Sequence, residues 1–227
     1  MRIGVIDILG MDASLVNVLT DHFHNTAELI NADATINREY DLIVVPPSTL
    51  YCDNEELRRR VAQSKLYDNL LEYSASKGFI VGIQSGFQIL CAAGLLDGGF
   101  VRTSRTTLVN GMVNMTSELK RSPLTYLIDF DKPLRLYLSH ALGHYRLSED
   151  TVHRLQMKGQ ILMRYCDERG YMSKESNPDG AIGNIAAICN AQRNVFGITP
   201  NPAVKNFFQH RLDGFELMDA FFKMITR

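Results

Sequence analysis

Neither sign of charge dominates this chain: 24 basic residues stand against 25 acidic ones over 227 positions. A near-neutral protein has little electrostatic hold on a phosphate backbone, which argues against nucleic acid as a partner. The one dense basic run, Arg58-Arg59-Arg60, lies within a charged helical pattern and reads as a solvated helix face. Cysteine is scarce too. Cys52, Cys91, Cys166 and Cys189 are far apart and show neither CxxC nor metal-ligand spacing. They read as free thiols of a reducing compartment, and no metal is expected. No apolar stretch approaches the length of a bilayer span, and Met1-Arg2 leads straight into a strand-like run rather than a charged-then-apolar leader. The expectation is a soluble, cytoplasmic protein with no membrane contact. Repeats, low-complexity tracts and long linkers are missing as well, so one domain spanning residues 1–227 is the economical reading.

What is present is an alternation of strand and helix patterns. Arg2 to Ile8 is a short buried-strand pattern, after which Asp12 or Ser14 can cap a helix running to about Phe23. Asp41 to Val45 is a second apolar strand, broken by Pro46-Pro47. Asn54 to Lys77 reads as helical, with Gly78 ending it before a third strand at Phe79. Strand followed by helix, three times over, predicts an α/β fold: a parallel sheet covered by helices on both faces, with ligands at the carboxyl ends of the strands. Later, residues 106–116, 134–139, 160–165, 184–190 and 195–199 are short strand patterns separated by turn residues such as Asn177-Pro178-Asp179-Gly180, which predicts an antiparallel extension. The last helix, near residues 215–225, sets Met218, Phe221, Phe222 and Ile225 on one face, a core-packing stripe.

The chemistry-bearing segment is Phe79-Ile80-Val81-Gly82-Ile83-Gln84-Ser85-Gly86-Phe87-Gln88-Ile89-Leu90. An apolar strand, a Gly-x-x-x-Gly turn and a helical pattern in succession build a nucleophile elbow, whose apex ordinarily bears a serine or cysteine. Here the apex is Gln84, which has no acidic proton to lose and no lone pair reactive enough to attack a carbonyl. Taking Ser85 as the apex would put Ile83 and Phe87 where the turn wants glycine, so the register favours Gln84.

Residues 82–96 resemble the elbow and following helix of class I glutamine amidotransferases, in particular the glutaminase subunit of phosphoribosylformylglycinamidine synthase. Gly86-Phe87-Gln88-Ile89-Leu90-Cys91 and Ala93-Gly94-Leu95-Leu96 carry the likeness. Residues 177–190 and Asn194 to Pro202 resemble that family's Asn-Pro-x-Gly run, its Ile-x-x-Ile-Cys-Asn strand and its Gly-x-x-Pro-His-Pro-Glu motif. Weaker likenesses at residues 2–12, 41–53 and 139–145 extend the resemblance over most of the chain. It implies a flavodoxin-like three-layer fold with a mostly parallel central sheet and an antiparallel extension. It also implies a Cys-His-Glu triad that releases ammonia from glutamine for a separate synthetase subunit, with no cofactor.

Against that pattern the chain departs at every reacting position. The nucleophile position falls on Gln84, the base on Asn201 and the orienting carboxylate on Ala203. Asparagine does not shuttle protons near neutral pH, and alanine neither donates nor accepts. A Gly-Gly pair in the oxyanion loop becomes Pro47-Ser48, and proline has no backbone N–H to offer. His140 falls in the family's His-Gly-Glu-Gly stretch, whose Glu becomes Leu142; it reads as a structural hydrogen-bonder or a ligand contact. His140 and His144 suit a metal only on a helix, and Gly143 between them argues against one. The expected site is therefore a degenerate pocket of Pro47, Ser48, Gln84, Ser85, Gln88, His140 and Asn201. The leading expectation is a non-catalytic glutaminase-like subunit docked on the synthetase. The alternatives are an active amidotransferase, working through Cys52 or Ser85 if the triad does not serve, and a sensor that holds glutamine or another small ligand.

Overall fold

The computed structural model describes residues 1–8, 11, 13–36, 38–48, 56, 59, 63–102, 108–118, 132–140, 143–204 and 213–226. Asp12, Cys52, Ala141, Leu142, positions 54, 55, 57, 58 and 60–62 of the sequence-predicted helix and positions 106 and 107 of the sequence-predicted strand lie outside them.

Strands β1 (Arg2–Asp7), β2 (Thr26–Asn31), β3 (Leu42–Val45) and β4 (Phe79–Ile83) form the parallel half of a nine-stranded sheet. Helix α1 (Ser14–Asn17), running on as a π-helical turn Val18–His22, connects β1 to β2; α2 (Lys65–Ala75) precedes β4 and α3 (Ser85–Ala92) follows it. Beyond α3 lie β5 (Gly99–Val101), β6 (Val109–Ser117), β7 (Leu134–His140), β8 (His144–Arg146), α4 (Glu149–Met157), β9 (Ile161–Cys166), β10 (Ile185–Cys189), β11 (Val195–Ile198) and α5 (Asp213–Ile225). The strand order is β2-β1-β3-β4-β11-β10-β9-β6-β7, with β5 and β8 pairing apart as a two-stranded sheet. β2 through β11 in that order are parallel, and every neighbour from β11 to β7 is antiparallel. The parallel half with an antiparallel extension is the architecture expected from the sequence.

Both faces of the sheet are covered because its central strands are apolar on both sides. The β3 residues Leu42, Ile43, Val44 and Val45 are all buried, as a strand sandwiched between helices requires. On one face α3 lies so close that a Cβ on Gly197 would meet the Phe87 ring at 2.1 Å, and one on Gly82 the Leu90 side chain at 2.6 Å. On the other face Val81, Ile83, Phe196 and Ile198 join Leu15 and Leu19 of α1 and its π turn and Met218, Phe221 and Phe222 of α5, around an apolar cavity of about 70 Å³. The Phe221 ring stands edge-on to Phe196 at 4.9 Å, so the terminal stripe is core, as its helical spacing predicts.

Several boundaries differ from the sequence expectation. Ser14 is the first helical residue of α1 rather than its cap, and Ala13 precedes it. Glu56 and Arg59 of the expected helix are helical, but the pattern is interrupted at Gln63 and Ser64, and the helix before β4 begins at Lys65, after an extended Ser64 (φ −102°, ψ 148°). At its end the left-handed residue is Lys77 (φ 67°), not Gly78; Gly78 is small for another reason, since a Cβ there would meet the Tyr73 ring at 2.3 Å. Strand β2 carries little sequence signal because only Ile30 of its six residues is buried. Helix α4 did carry one: Ser148 accepts from the Thr151 N–H at 3.2 Å, and Glu149 and Asp150 occupy the first turn.

The antiparallel half curls. Strand β7 ends the strand order, far from β4, yet the Tyr137 carbonyl accepts from the Asn201 N–H at 2.8 Å and the Ser139 carbonyl accepts from Gln84 Nε2 at 3.0 Å. The edge of β7 is thereby brought over the carboxyl ends of β4 and β11. The Arg135 N–H, donating to Asp213 Oδ2 at 2.7 Å, ties the other end of β7 to the start of α5.

Candidate functional site

Three loops leave the carboxyl ends of adjacent parallel strands and meet. Pro46-Pro47-Ser48 follows β3, Gln84 follows β4, and Thr199-Pro200-Asn201 follows β11. The sharp turn between β4 and α3 is centred on Gln84, at φ 53° and ψ −112°. A non-glycine residue at such angles is strained by about 1–3 kcal/mol and persists only where its surroundings over-determine it. They do so here. The Gln84 N–H donates to the Ile198 carbonyl at 2.9 Å, and the Gln84 carbonyl accepts from the Gln88 N–H at 3.2 Å. The flanking glycines allow the close approach: a Cβ on Gly82 would lie 2.6 Å from the Gly86 carbonyl oxygen, and one on Gly86 only 1.9 Å from that of Val45. The elbow is therefore fully built, with glutamine at its apex.

Of the sequence-predicted pocket residues, Ser48, Gln84, Ser85, Gln88 and Asn201 lie around the elbow, where several of their polar atoms are engaged with one another and with backbone. Gln84 is buried and its Nε2 donates to the Ser139 carbonyl. Ser85 Oγ accepts from the Ser48 N–H at 2.6 Å and donates back to the Ser48 carbonyl at 3.3 Å. That pairing commits the Ser48 N–H, the donor left in an oxyanion loop where Pro47 has none. Asn201 is half-buried, and its Oδ1 accepts from the Ala203 N–H at 3.0 Å, closing a local turn on its own backbone. Ala203 is buried among apolar residues, and Gln88 is buried in the first turn of α3. Among the described residues, neither Gln84 nor Ser85 hydrogen-bonds a thiol, an imidazole or a carboxylate.

His140 belongs to a second, buried cluster on the end of β7. Its Nε2–H donates to Asp179 Oδ2 at 3.1 Å, and the Tyr165 hydroxyl donates to the same oxygen at 3.1 Å, while the Ala181 N–H donates to Asp179 Oδ1 at 3.1 Å. Burial, then the Asp179 carboxylate, push the Tyr165 phenol well above its usual range, so it remains a donor at any ordinary pH. His144 Nδ1 meets the Asp179 carbonyl, so both histidines are held by one turn. From the sequence Asp179 is only a turn residue; the one signal for its role is a carboxylate in a turn whose other members are Asn, Pro and Gly. Cys91, Cys166 and Cys189 are buried thiols outside any disulfide, and burial raises Cys166 and Cys189 to about 11, which leaves those two inert near neutral pH. No group of three or more metal-ligating side chains occurs among the described residues, and no helix among them is long and apolar enough to cross a membrane.

The profile of CobB/CobQ-like glutamine amidotransferase domains matches residues 18–212. Relatives named phosphoribosylformylglycinamidine synthase subunit PurQ include that of Aquifex aeolicus, 31% identical over 82% of this chain and 82% of its own length. That of Nitrobacter hamburgensis is 32% identical over 79% of this chain and 77% of its own. The chain belongs to the class I glutamine amidotransferases of the PurQ type. In fold it is similar to a chain in the structure of PurLQS from Thermotoga maritima, with a TM-score of 0.78 at 21% identity, covering 98% of this chain and 97% of that one. Against what amide hydrolysis on an amidotransferase elbow requires, the residues present supply the strained turn and the helix behind it. At the apex of that turn stands glutamine, which offers no nucleophile.

Proposed function

We propose that this chain is a non-catalytic, glutaminase-like subunit that associates with the synthetase subunit of phosphoribosylformylglycinamidine synthase in purine biosynthesis, acting as one domain in the cytoplasm. The observation that carries the reading is Gln84 at the left-handed apex of an intact elbow, where no thiolate or alkoxide can form. Asn201, turned onto its own backbone, and the engaged Ser48–Ser85 pair support it, because neither arrangement offers a base or a free oxyanion donor in that loop. The curated relatives bear the name of a synthase subunit, and the PurLQS structure contains a chain of the same fold, which supports a synthetase as the partner. Docking needs the fold and its surface and makes no demand on the groups at the elbow, so the reading is compatible with a glutamine at the apex.

Two measurements test the reading. Purified chain, alone and with the cognate synthetase, is expected to release no glutamate from glutamine above a blank; turnover that follows the chain's concentration would overturn the non-catalytic assignment. Co-expression with the synthetase is expected to give one co-migrating peak in size-exclusion chromatography at micromolar concentration. Two separate peaks would count against docking.

A further inference from the structure

We propose that Gln84 is a resident substitute for substrate: its side chain fills the subsite where an amidotransferase would hold the scissile carboxamide, and so closes the pocket to free glutamine. The proposal rests on the non-catalytic reading above and adds what the pocket contains. Its first support is covalent geometry. When a cysteine at an elbow apex attacks an amide, the carbonyl carbon becomes bonded to Sγ, two bonds from Cβ. In glutamine the carboxamide carbon Cδ also lies two bonds from Cβ, with Cγ in place of sulfur. The apex side chain of this chain therefore presents a carbonyl oxygen and an amide nitrogen at the same reach from the backbone as the adduct of an active enzyme. The backbone beneath it has the turn of an elbow, with the helix, both glycines and the β11 contact in place.

The second support is the way the side chain is held. Gln84 is 8% exposed although it stands at the sheet edge where elbow apices ordinarily open to ligand. Its amide nitrogen donates to the Ser139 carbonyl, an acceptor on β7, the strand that ends the antiparallel half of the sheet. A cysteine there could not reach across to make that bond. The carboxamide oxygen has no hydrogen-bond partner among the described residues, and the neighbouring Ser48 N–H is committed to Ser85. The acceptor that anchors Gln84 is a backbone carbonyl and survives any substitution at position 84. With the side chain removed, the primary carboxamide of free L-glutamine can take both the space and the Ser139 acceptor.

The test is L-glutamine binding by titration calorimetry to the full chain and three variants. Gln84→Gly suits the left-handed apex and removes the occupant; Gln84→Ala removes it and keeps a Cβ; Gln84→Met keeps its length without the amide. Both truncations are expected to bind L-glutamine at least about tenfold more tightly than the wild type, whereas Gln84→Met remains closed. Circular dichroism establishes that each variant is folded. Equal binding by wild type and truncations, or folded truncations that bind no better, overturns the proposal. Tight binding to Gln84→Met shows that filling the space does not block the pocket and also overturns it. Glutamate release by the wild type would instead overturn the non-catalytic reading, so the two failures are distinct.

Discussion

Gly86 lies in the first turn of α3 and Gly94 just past its end, and their surroundings are opposite. A Cβ on Gly86 would fall 1.9 Å from the Val45 carbonyl oxygen, a backbone atom that cannot rotate away. Gly94 has nothing within 4 Å of its would-be Cβ, but sits at φ +71° as the left-handed residue that ends α3. Gly86→Ala must therefore push α3 off β3 and is expected to cost about 3 kcal/mol or more, near the upper end for overpacking. Gly94→Ala meets only the left-handed penalty, about 1–2 kcal/mol. Urea unfolding of the two variants separates the effects, and equal losses would contradict the close packing of elbow on β3. The same packing explains why the elbow was legible in sequence. Glycine at 82 and 86 answers a local demand of backbone on backbone, and local demands leave a mark at fixed spacing.

At the scale of elements, the turn at 177–181 and the end of β7 act as one unit through Asp179. Its carboxylate accepts from His140, Tyr165 and the Ala181 N–H, all at 3.1 Å. Asp179→Ala leaves a buried imidazole, a buried hydroxyl and a backbone N–H without that acceptor and is expected to cost about 3 kcal/mol or more. Tyr165→Phe removes only one donor and is expected to cost about 1 kcal/mol. Thermal and chemical unfolding compare them; a Tyr165→Phe loss as large as that of Asp179→Ala would show that the carboxylate does not organise the cluster. This unit marks where sequence reading ran out. His140 and Asp179 are separated by 39 positions, and only the folded hairpins bring them together. The Ser139 acceptor for Gln84 was invisible for a similar reason, since it depends on the curl of β7 back over β4 rather than on any residue near position 84. The strands themselves were readable because β3, β10 and β11 are continuously apolar, whereas β2 exposes most of its residues and resembles a loop in composition.

For the whole molecule, the sandwiching of the sheet determines how stability responds to alkali. Burial lifts the Cys166 and Cys189 thiols from an ordinary 9.0 to about 11, with Asp167 adding to the rise at Cys166 and Arg193 opposing it at Cys189. Burial likewise lifts Tyr73 from 10.0 to about 12 and holds Tyr145 and Tyr165 well above their usual range. In each case the folded chain keeps a proton that the unfolded chain gives up sooner. The contribution of these groups is complete below the unfolded pKa of the thiols and is lost as pH climbs through the folded values. Unfolding free energy is therefore expected to be insensitive to these groups up to pH 9 and to fall from there towards pH 11 and beyond. The thiols act first and the phenols follow. Urea melts across that window check the trend, and Cys166→Ala combined with Cys189→Ala should flatten its first part while leaving the tyrosine-dependent fall in place. An unchanged slope in the double variant would mean that these two thiols, although buried in the sheet, do not couple its stability to pH.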